Sequence, residues 1–508
     1  MSLDNALSIA NSSLANINRQ IALVSHNVAN ANTAHYAREV AGQENLTANG
    51  VGLGVVSHAS TRVTDTMLQG QSLRQTTLVT QFETTKTALQ AIDPVLGKPG
   101  QGDDLPSLLG KVADGFSALL NAPDNQARQT EVVNAAGTLV RQINAIATAC
   151  ADQRQAAHDD IGQAVTTLNT TLDTIGALSD RIVALKAGGR STADLENQRD
   201  AALHTLASLV DVRTLEQSNG DMLIVTNGGL SLPTRGQTHR LSSANANLAP
   251  AFSRAAGTVP GLMLGGIDVT RQMQGGRIGA DIALRDQGLP LFQATLDEFA
   301  AGLSRRFSDQ GLALFTDATG AVPPSGGIPP QAAYVGFSVT IQVNAAVAAD
   351  PSLLRDGTHA VVGDPAGATG FTPNPDTGPV GFTTLIDRIL THALGSEVAT
   401  GVPHPAFATA DLGPDGTLTA PFASPVTLTG MAEALTEAQA RESAATASRF
   451  DTETAVQVSL DTRIAKTSGV DLDTEMAAMI ALQTAFGATA RIMTVVQSLF
   501  TELLQSVR

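Results

Sequence analysis

Nine histidines and one cysteine are the side chains of this sequence best suited to hold a metal or carry a covalent intermediate, and their spacing serves neither. No two histidines stand two or four positions apart, so the helical pair that zinc requires is missing. The single Cys150 excludes an intramolecular disulfide and a multi-cysteine metal site, and it falls on a helical apolar row as a small core residue. Gly229-Leu230-Ser231-Leu232-Pro233 begins like a nucleophile elbow, but Pro233 replaces the glycine that the strand-to-helix turn needs, which leaves a hairpin end. Asp411-Leu412-Gly413-Pro414-Asp415-Gly416 echoes a calcium loop, yet its twelfth position is Phe422 instead of a bidentate glutamate, so a turn before a strand is expected. Gly50-Val51-Gly52-Leu53-Gly54 lacks a P-loop lysine and the dinucleotide spacing, and reads as a flexible corner. These residues predict no metal and no cofactor.

The informative spacing is apolar. At the start of the chain Leu3, Leu7, Ala10, Leu14, Ile17, Ile21, Val24 and Val28 recur at steps of four and three, a coiled-coil stripe separated by Asn, Ser and Gln instead of charges. Near the other end Met479, Phe486, Ala490, Met493, Phe500, Leu504 and Val507 form one row, interrupted by Gln483 and Gln497. Leu482, Ala485, Ile492, Val496, Leu499 and Leu503 form a second. A helix apolar on two faces needs two sets of neighbours. The two ends are therefore expected to pair with each other and to assemble with further subunits. Burial within one such pair falls short of the entropy of ordering it, so the ends are expected to fray in the free monomer.

Between the ends the chain is long enough for several domains, and its 43% apolar content supplies sizeable cores. A formal charge of -16 without a basic run argues against nucleic acid or an anionic membrane as partner. Aromatic residues make up 3%, with no Trp, so platforms for stacking bases or sugars are scarce. Asp4, Asn5, Ser8 and Asn11 interrupt any apolar signal region, so no cleavable secretory signal is expected, and no run of eighteen apolar residues predicts membrane insertion.

Patterning divides the chain into four parts. Residues 1–34 with 471–508 make the terminal coiled-coil assembly domain. Residues 35–211, 277–315 and 426–470 make a long-helix bundle, whose chief element is a seam from Ala136 through Ile143, Cys150, Ile161, Leu168 and Ile175 to Leu185, broken only at Arg154 and Thr171. A helix over about 124–185 would be roughly 90 Å long. Residues 212–276 take a strand-like period around Met222-Leu223-Ile224-Val225. Residues 316–425, rich in Gly, Pro and Thr, are expected to form a β-rich or irregular domain facing outward, removable without unfolding the helices. The fold class is mainly α with β insertions: paired terminal coiled-coil helices, an elongated long-helix bundle and an outward β-rich domain.

Three stretches resemble the flagellar rod, hook and axial protein family. Asn27, Asn30, Asn32 and Thr33 within Ser25–Thr33, followed by Tyr36 and Arg38, look like its N-terminal signature. Gly469, Val470 and Leu472 within Ser468–Met476, continuing into the last apolar helix, are similar to its C-terminal partner. Asp194-Leu195-Glu196-Asn197-Gln198-Arg199-Asp200 and Gly275-Gly276-Arg277-Ile278-Gly279 narrow the resemblance to hook-associated proteins of the FlgK type. Two positions depart from the pattern: His35 stands where the family carries Gly, implying a different corner conformation, and Phe486 stands where it often carries Tyr.

The resemblance implies a non-catalytic adaptor between hook and filament. Its implied partners are neighbouring subunits, the hook protein, a second junction protein on the filament side and an export chaperone. It also implies an extracellular place in the flagellum, reached without a cleavable signal. The assembly interface would be Leu3, Leu7, Leu14, Ile17, Ile21, Val24 and Val28 with Leu482, Phe486, Ile492, Met493, Val496, Leu499, Phe500, Leu503 and Leu504. One rival is a hook or distal rod subunit, which the long seam disfavours because those proteins are dominated by β structure. A remote rival is a secreted hydrolase housed in residues 316–425, where His359, His392 and His404 lack ligand spacing.

Overall fold

The computed structural model describes residues 3–48, 51–98, 100–236, 240–327 and 329–506, so Gly50 and Val507 of the patterns above lie outside the described residues. Helix α1 (Leu3–Ala29) is followed by two small antiparallel pairs, in which β1 (Glu39–Val40) meets β4 (Thr61–Arg62) and β2 (Gln43–Ala48) meets β3 (Val51–Ser57). Helix α2 (Thr66–Leu96) starts where the Asp65 carboxylate accepts from the backbone N–H groups of Met67 and Leu68. Asp104 caps α3 (Leu105–Leu120) and Asn125 caps α4 (Gln126–Ala187) in the same way.

Helix α4 has 62 residues and so spans about 93 Å. The two residues that break its seam are placed by hydrogen bonds. Arg154 runs along the core and donates to the carbonyls of Arg285 at 2.9 Å and Phe252 at 2.6 Å. The Arg285 carbonyl belongs to a π turn, Leu284–Gly288, between α6 (Gly276–Ala283) and α7 (Leu289–Asp309). Such a turn loosens the helical ladder, and a long guanidinium reaches it from the facing helix. Thr171 returns its hydroxyl to the Thr167 carbonyl.

Two main cores lie along this rod. In one, Val132, Leu139 and Ile143 of α4 pack with Phe116 of α3 and Leu296, Phe299 and Leu303 of α7. In the other, Ile161, Leu168 and Ile175 pack with Leu206 of α5 (Ala193–Leu209) and with small sheets. Those sheets are β5 (Val212–Glu216), β6 (Met222–Thr226) and β7 (Ser231–Leu232), then β8 (Leu241–Ser243), β9 (Leu262–Leu264) and β10 (Ile267–Asp268). Helix α12 (Leu428–Ser468) packs along α2 and closes the bundle, and α13 (Leu472–Ser506) returns along α1.

Residues 316–425, expected to be β-rich or irregular, are built mostly of turns and carry few strands among the described residues. Strand β11 (Phe315–Thr316) pairs β12 (Gln342–Val343), and β13 (Glu397–Ala399) pairs β14 (Val402–Pro403), but four short helices intervene: α8 (Phe337–Thr340), α9 (Ala345–Ala349), α10 (Leu353–Asp356) and α11 (Thr384–Arg388). Phe337, Leu354, Phe371, Leu385, Ile389 and Phe407 belong to the same cluster as Phe116 and Phe299. A side chain at Gly302 in the middle of α7 would place its Cβ 2.2 Å from the Phe407 ring, so that glycine is what lets the segment dock on the helix. The apolar residues here are scattered among turns, so they show no period, yet these six reach the common core.

Candidate functional site

Helices α1 and α13 pack against each other over most of their length. On α1, Val24 is buried, and Leu3, Leu7, Leu14, Ile17, Ile21 and Val28 are half-buried. The polar residues of α1 serve a third element: Asn16 is buried, donates to the Gln43 side chain at 2.8 Å and accepts from Ser57 at 2.7 Å, which seats the β2–β3 hairpin on the helix. The uncharged Asn and Ser positions between the apolar ones were the signal for this contact, which apolar spacing alone passed over.

On α13 the structure regroups the residues of the two apolar rows. The inward positions are Glu475, Ala478, Met479, Leu482, Thr489, Ala490, Met493, Val496 and Phe500; Met479, Ala490, Met493 and Phe500 come from one row and Leu482 and Val496 from the other. Glu475 and Thr489 occupy the inward heptad row, so apolar spacing alone could not trace it. Leu472, Phe486, Ile492, Leu499, Leu503 and Leu504 are exposed, with Leu504 at 66% and Ile492 at 54%. These side chains leave one side of the helix apolar and exposed. The stretch Leu428–Gln505 holds an eighteen-residue window of mean hydropathy 1.4, apolar enough by length and composition to cross a membrane. The same composition follows from a helix that carries an inward stripe and an outward one.

The three resembling stretches meet at the corner where this arm joins the bundle. Asn27 is 1% exposed: its amide donates to the Glu39 carbonyl at 2.9 Å and to Glu475 at 3.4 Å, while its carbonyl oxygen accepts from the Glu39 N–H and the Tyr36 hydroxyl, both at 3.0 Å. Arg38 donates through Nε to the fully buried Glu475 at 2.5 Å, and its backbone N–H donates to the Ser468 carbonyl. From the mid-chain stretch, Asn197 clamps the backbone of Ala37 at both its N–H and its carbonyl. Arg62 binds Glu196 at 2.9 Å and Asp200 at 2.5 Å. Burial opposes the charge on Arg62, but the two carboxylates more than offset it and hold its pKa above the ordinary value. Burial also raises the carboxyl of Glu39 and, with the help of Glu39, the phenol of Tyr36.

The remaining signature residues shape the turn. The Asn30 side chain donates to the His26 carbonyl, Thr33 donates to Asn30, and Asn32 is exposed. At the other side of the corner Gly469 ends α12, where a Cβ would lie 2.4 Å from the Ala465 carbonyl oxygen. Val470 is half-buried beside it, and the Asp471 carboxylate accepts from the Thr474 N–H at the start of α13. His35 holds the position before Tyr36 at this corner. It takes φ +61°, the left-handed region that favours glycine, at a cost of about 1–2 kcal/mol to a residue with a Cβ.

Residues 89–321 match the family model described as the flagellar hook-associated protein FlgK helical domain. Residues 89–321 are thus similar to a FlgK helical domain. Residues 464–506, which hold Gly469, Glu475 and all of α13, match the C-terminal model of the flagellar basal body rod FlgEFG proteins. Flagellar hook-associated protein 1 of Bacillus subtilis (strain 168) is 23% identical over 225 residues, which are 42% of this chain and 44% of that protein. The chain thus spans less than half the length of that curated relative. The solved structure of the flagellar hook junction protein FlgK from Burkholderia pseudomallei aligns at a TM-score of 0.40 and 22% identity, covering 50% of this chain and 46% of that one. The residues matched by the FlgK helical-domain model contain α3 to α7 and with them Asn197 of the corner.

The residues considered first for chemistry stand in structural roles. Cys150 is buried, donates to the Leu289 carbonyl, and has its thiol pushed up to about 12 by burial. Ser231 pairs with Val225 in β7. Asp411 lies in a turn closed by Leu412 and Leu418. His359 contacts Thr358, His392 lies against the Glu397 carbonyl, and His404 lies against the His392 carbonyl.

Proposed function

We propose that this protein is a structural subunit of the bacterial flagellum that joins hook to filament and polymerises through α1 and α13. The exposed apolar row of α13, standing beside a FlgK-type helical domain, carries this reading. Neighbouring copies would cover Ile492, Leu499, Leu503 and Leu504, and an export chaperone would cover the same row before assembly. The hook protein and a second junction protein on the filament side are the remaining proposed contacts, outside the cell. The 62-residue α4 favours the junction over a hook or distal rod subunit.

Electron microscopy of a strain lacking the protein tests this directly. Hooks without filaments are expected, whereas missing hooks would assign the protein to the hook or rod. Changing Leu499 and Leu503 to Asp should leave the melting temperature of the monomer within about 1 °C and abolish filament attachment, since an unpaired carboxylate in a packed interface costs several kcal/mol at each contact. Filaments on such a strain would remove α13 from the assembly surface.

A further inference from the structure

The corner contains two imidazoles in an arrangement that the assembly reading does not use. The rings of His35, on the turn after α1, and His204, on α5, are stacked with centroids 3.6 Å apart and planes 12° from parallel. They form part of the wall of a cleft of about 1010 Å³ between the turn, α2, α5, β5 and the end of α12. Nδ1 of His204 is buried and has no hydrogen-bond partner.

We propose that this stack is a proton-sensitive latch, which holds the 30–37 turn against α5 near neutral pH and releases it in mild acid. Two neutral rings stack without charge, but a proton on each places two cations face to face at van der Waals distance. A proton on Nδ1 of His204 would also create a buried N–H with no acceptor. His35 keeps one exposed face, and the carboxylates acting on it are Asp461 of α12 and Asp200 of α5. Asp200 is already held by Arg62 and Gln69, which leaves Asp461, bonded to Gln457, as the group toward which a protonated His35 would swing.

Other charged groups around the cleft are engaged elsewhere. Glu196 is tied to Arg62, and Arg199 faces Glu216. Arg74 of α2 and Arg213 of β5 line the same cleft and stay charged. His26, which bonds Tyr36 at 3.2 Å and faces Asp194 at 4.0 Å, is a third imidazole at the corner and must be controlled for. Burial, then the neighbouring ring, lowers His204 to about 3, and burial lowers His35. The folded corner therefore resists protonation that the released turn accepts, so the latch is intact above about pH 6.5 and weakens as pH falls below it. The left-handed backbone of His35 favours release, because a freed turn can leave that conformation.

Amide hydrogen exchange of the full chain at pH 7.5 and 5.5, corrected for the intrinsic rate, tests the latch. Protection of residues 30–38 should fall several-fold at pH 5.5 in the unaltered protein. His35→Gly, which suits the backbone and removes one ring, and His204→Phe, which keeps a stacking surface without a titrating nitrogen, should each show the same protection at both pH values. His26→Gln should keep the pH response. No loss in the unaltered protein, an equal loss in the first two variants, or a response that disappears with His26 would overturn the proposal.

Discussion

Helices α4 and α13 both carry apolar residues at coiled-coil spacing, yet one is enclosed and the other is open. Along α4, Ile143, Ile161, Leu168 and Ile175 have no solvent exposure, because α3, α5, α7 and the small sheets surround the rod. Along α13, Glu475 and Val496 are the buried positions among the described residues, and the facing helix α1 covers a single stripe. The same spacing therefore has two consequences. In the body it is satisfied within the chain and sets stability, whereas in the arm much of it stays exposed.

The largest expected effect tests how far the enclosed region extends. Replacing residues 316–425 with a short linker should abolish cooperative unfolding, because it removes Phe371, Leu385, Ile389 and Phe407 from the core shared with α3, α4 and α7. A deletion variant that melts in one sharp calorimetric transition would show that the segment is separable after all. Within the core, Phe299→Ala should cost about 3–5 kcal/mol in chemical denaturation. A cost under about 1 kcal/mol would mean that α7 is not the centre of the body.

At the boundary between the regions the effect should be smaller and local. Asn27→Ala removes bonds to Tyr36, Glu39 and Glu475 and leaves the latter two buried with fewer partners, a loss of about 1–3 kcal/mol. Hydrogen exchange should rise in the first turns of α13 and stay unchanged in α4, and a rise in both would contradict the separation. The smallest effect is a pH slope. Asp281 is 3% exposed and is pushed up to about 9, first by burial and then by Asp160. The folded protein keeps this proton from about pH 4 to about pH 9 while the unfolded chain releases it, so stability falls as pH rises through that window, by at most about 1.4 kcal/mol per pH unit. Denaturation at pH 5 and pH 8 should show a shallower decline for Asp281→Asn, and an unchanged slope would place the proton elsewhere.

What the sequence disclosed follows the same division. The α4 seam was legible because its two exceptions, Arg154 and Thr171, find hydrogen bonds without displacing the apolar face. The inward row of α13 was not, because Glu475 and Thr489 lie within it and only the Arg38 and Asn27 side chains explain a buried glutamate there. The corner residues stood out by resemblance, but their work did not. That Asn197 grips Ala37 from 160 positions away is a tertiary fact with no local trace. Residues 316–425 misled for the opposite reason, since turns dominate their composition while a few dispersed aromatic and aliphatic side chains decide where they pack.

The bond from Asn27 to Glu475 joins residues 448 positions apart. At about 5–20 residues per second, a ribosome needs roughly 20–90 seconds to make the chain between them. Throughout that interval α1 has left the ribosome without its partner, while α4 can already gather α3 and α5 around it. The arm is therefore the last part of the molecule able to close, and the order of synthesis leaves α1 uncovered for longest.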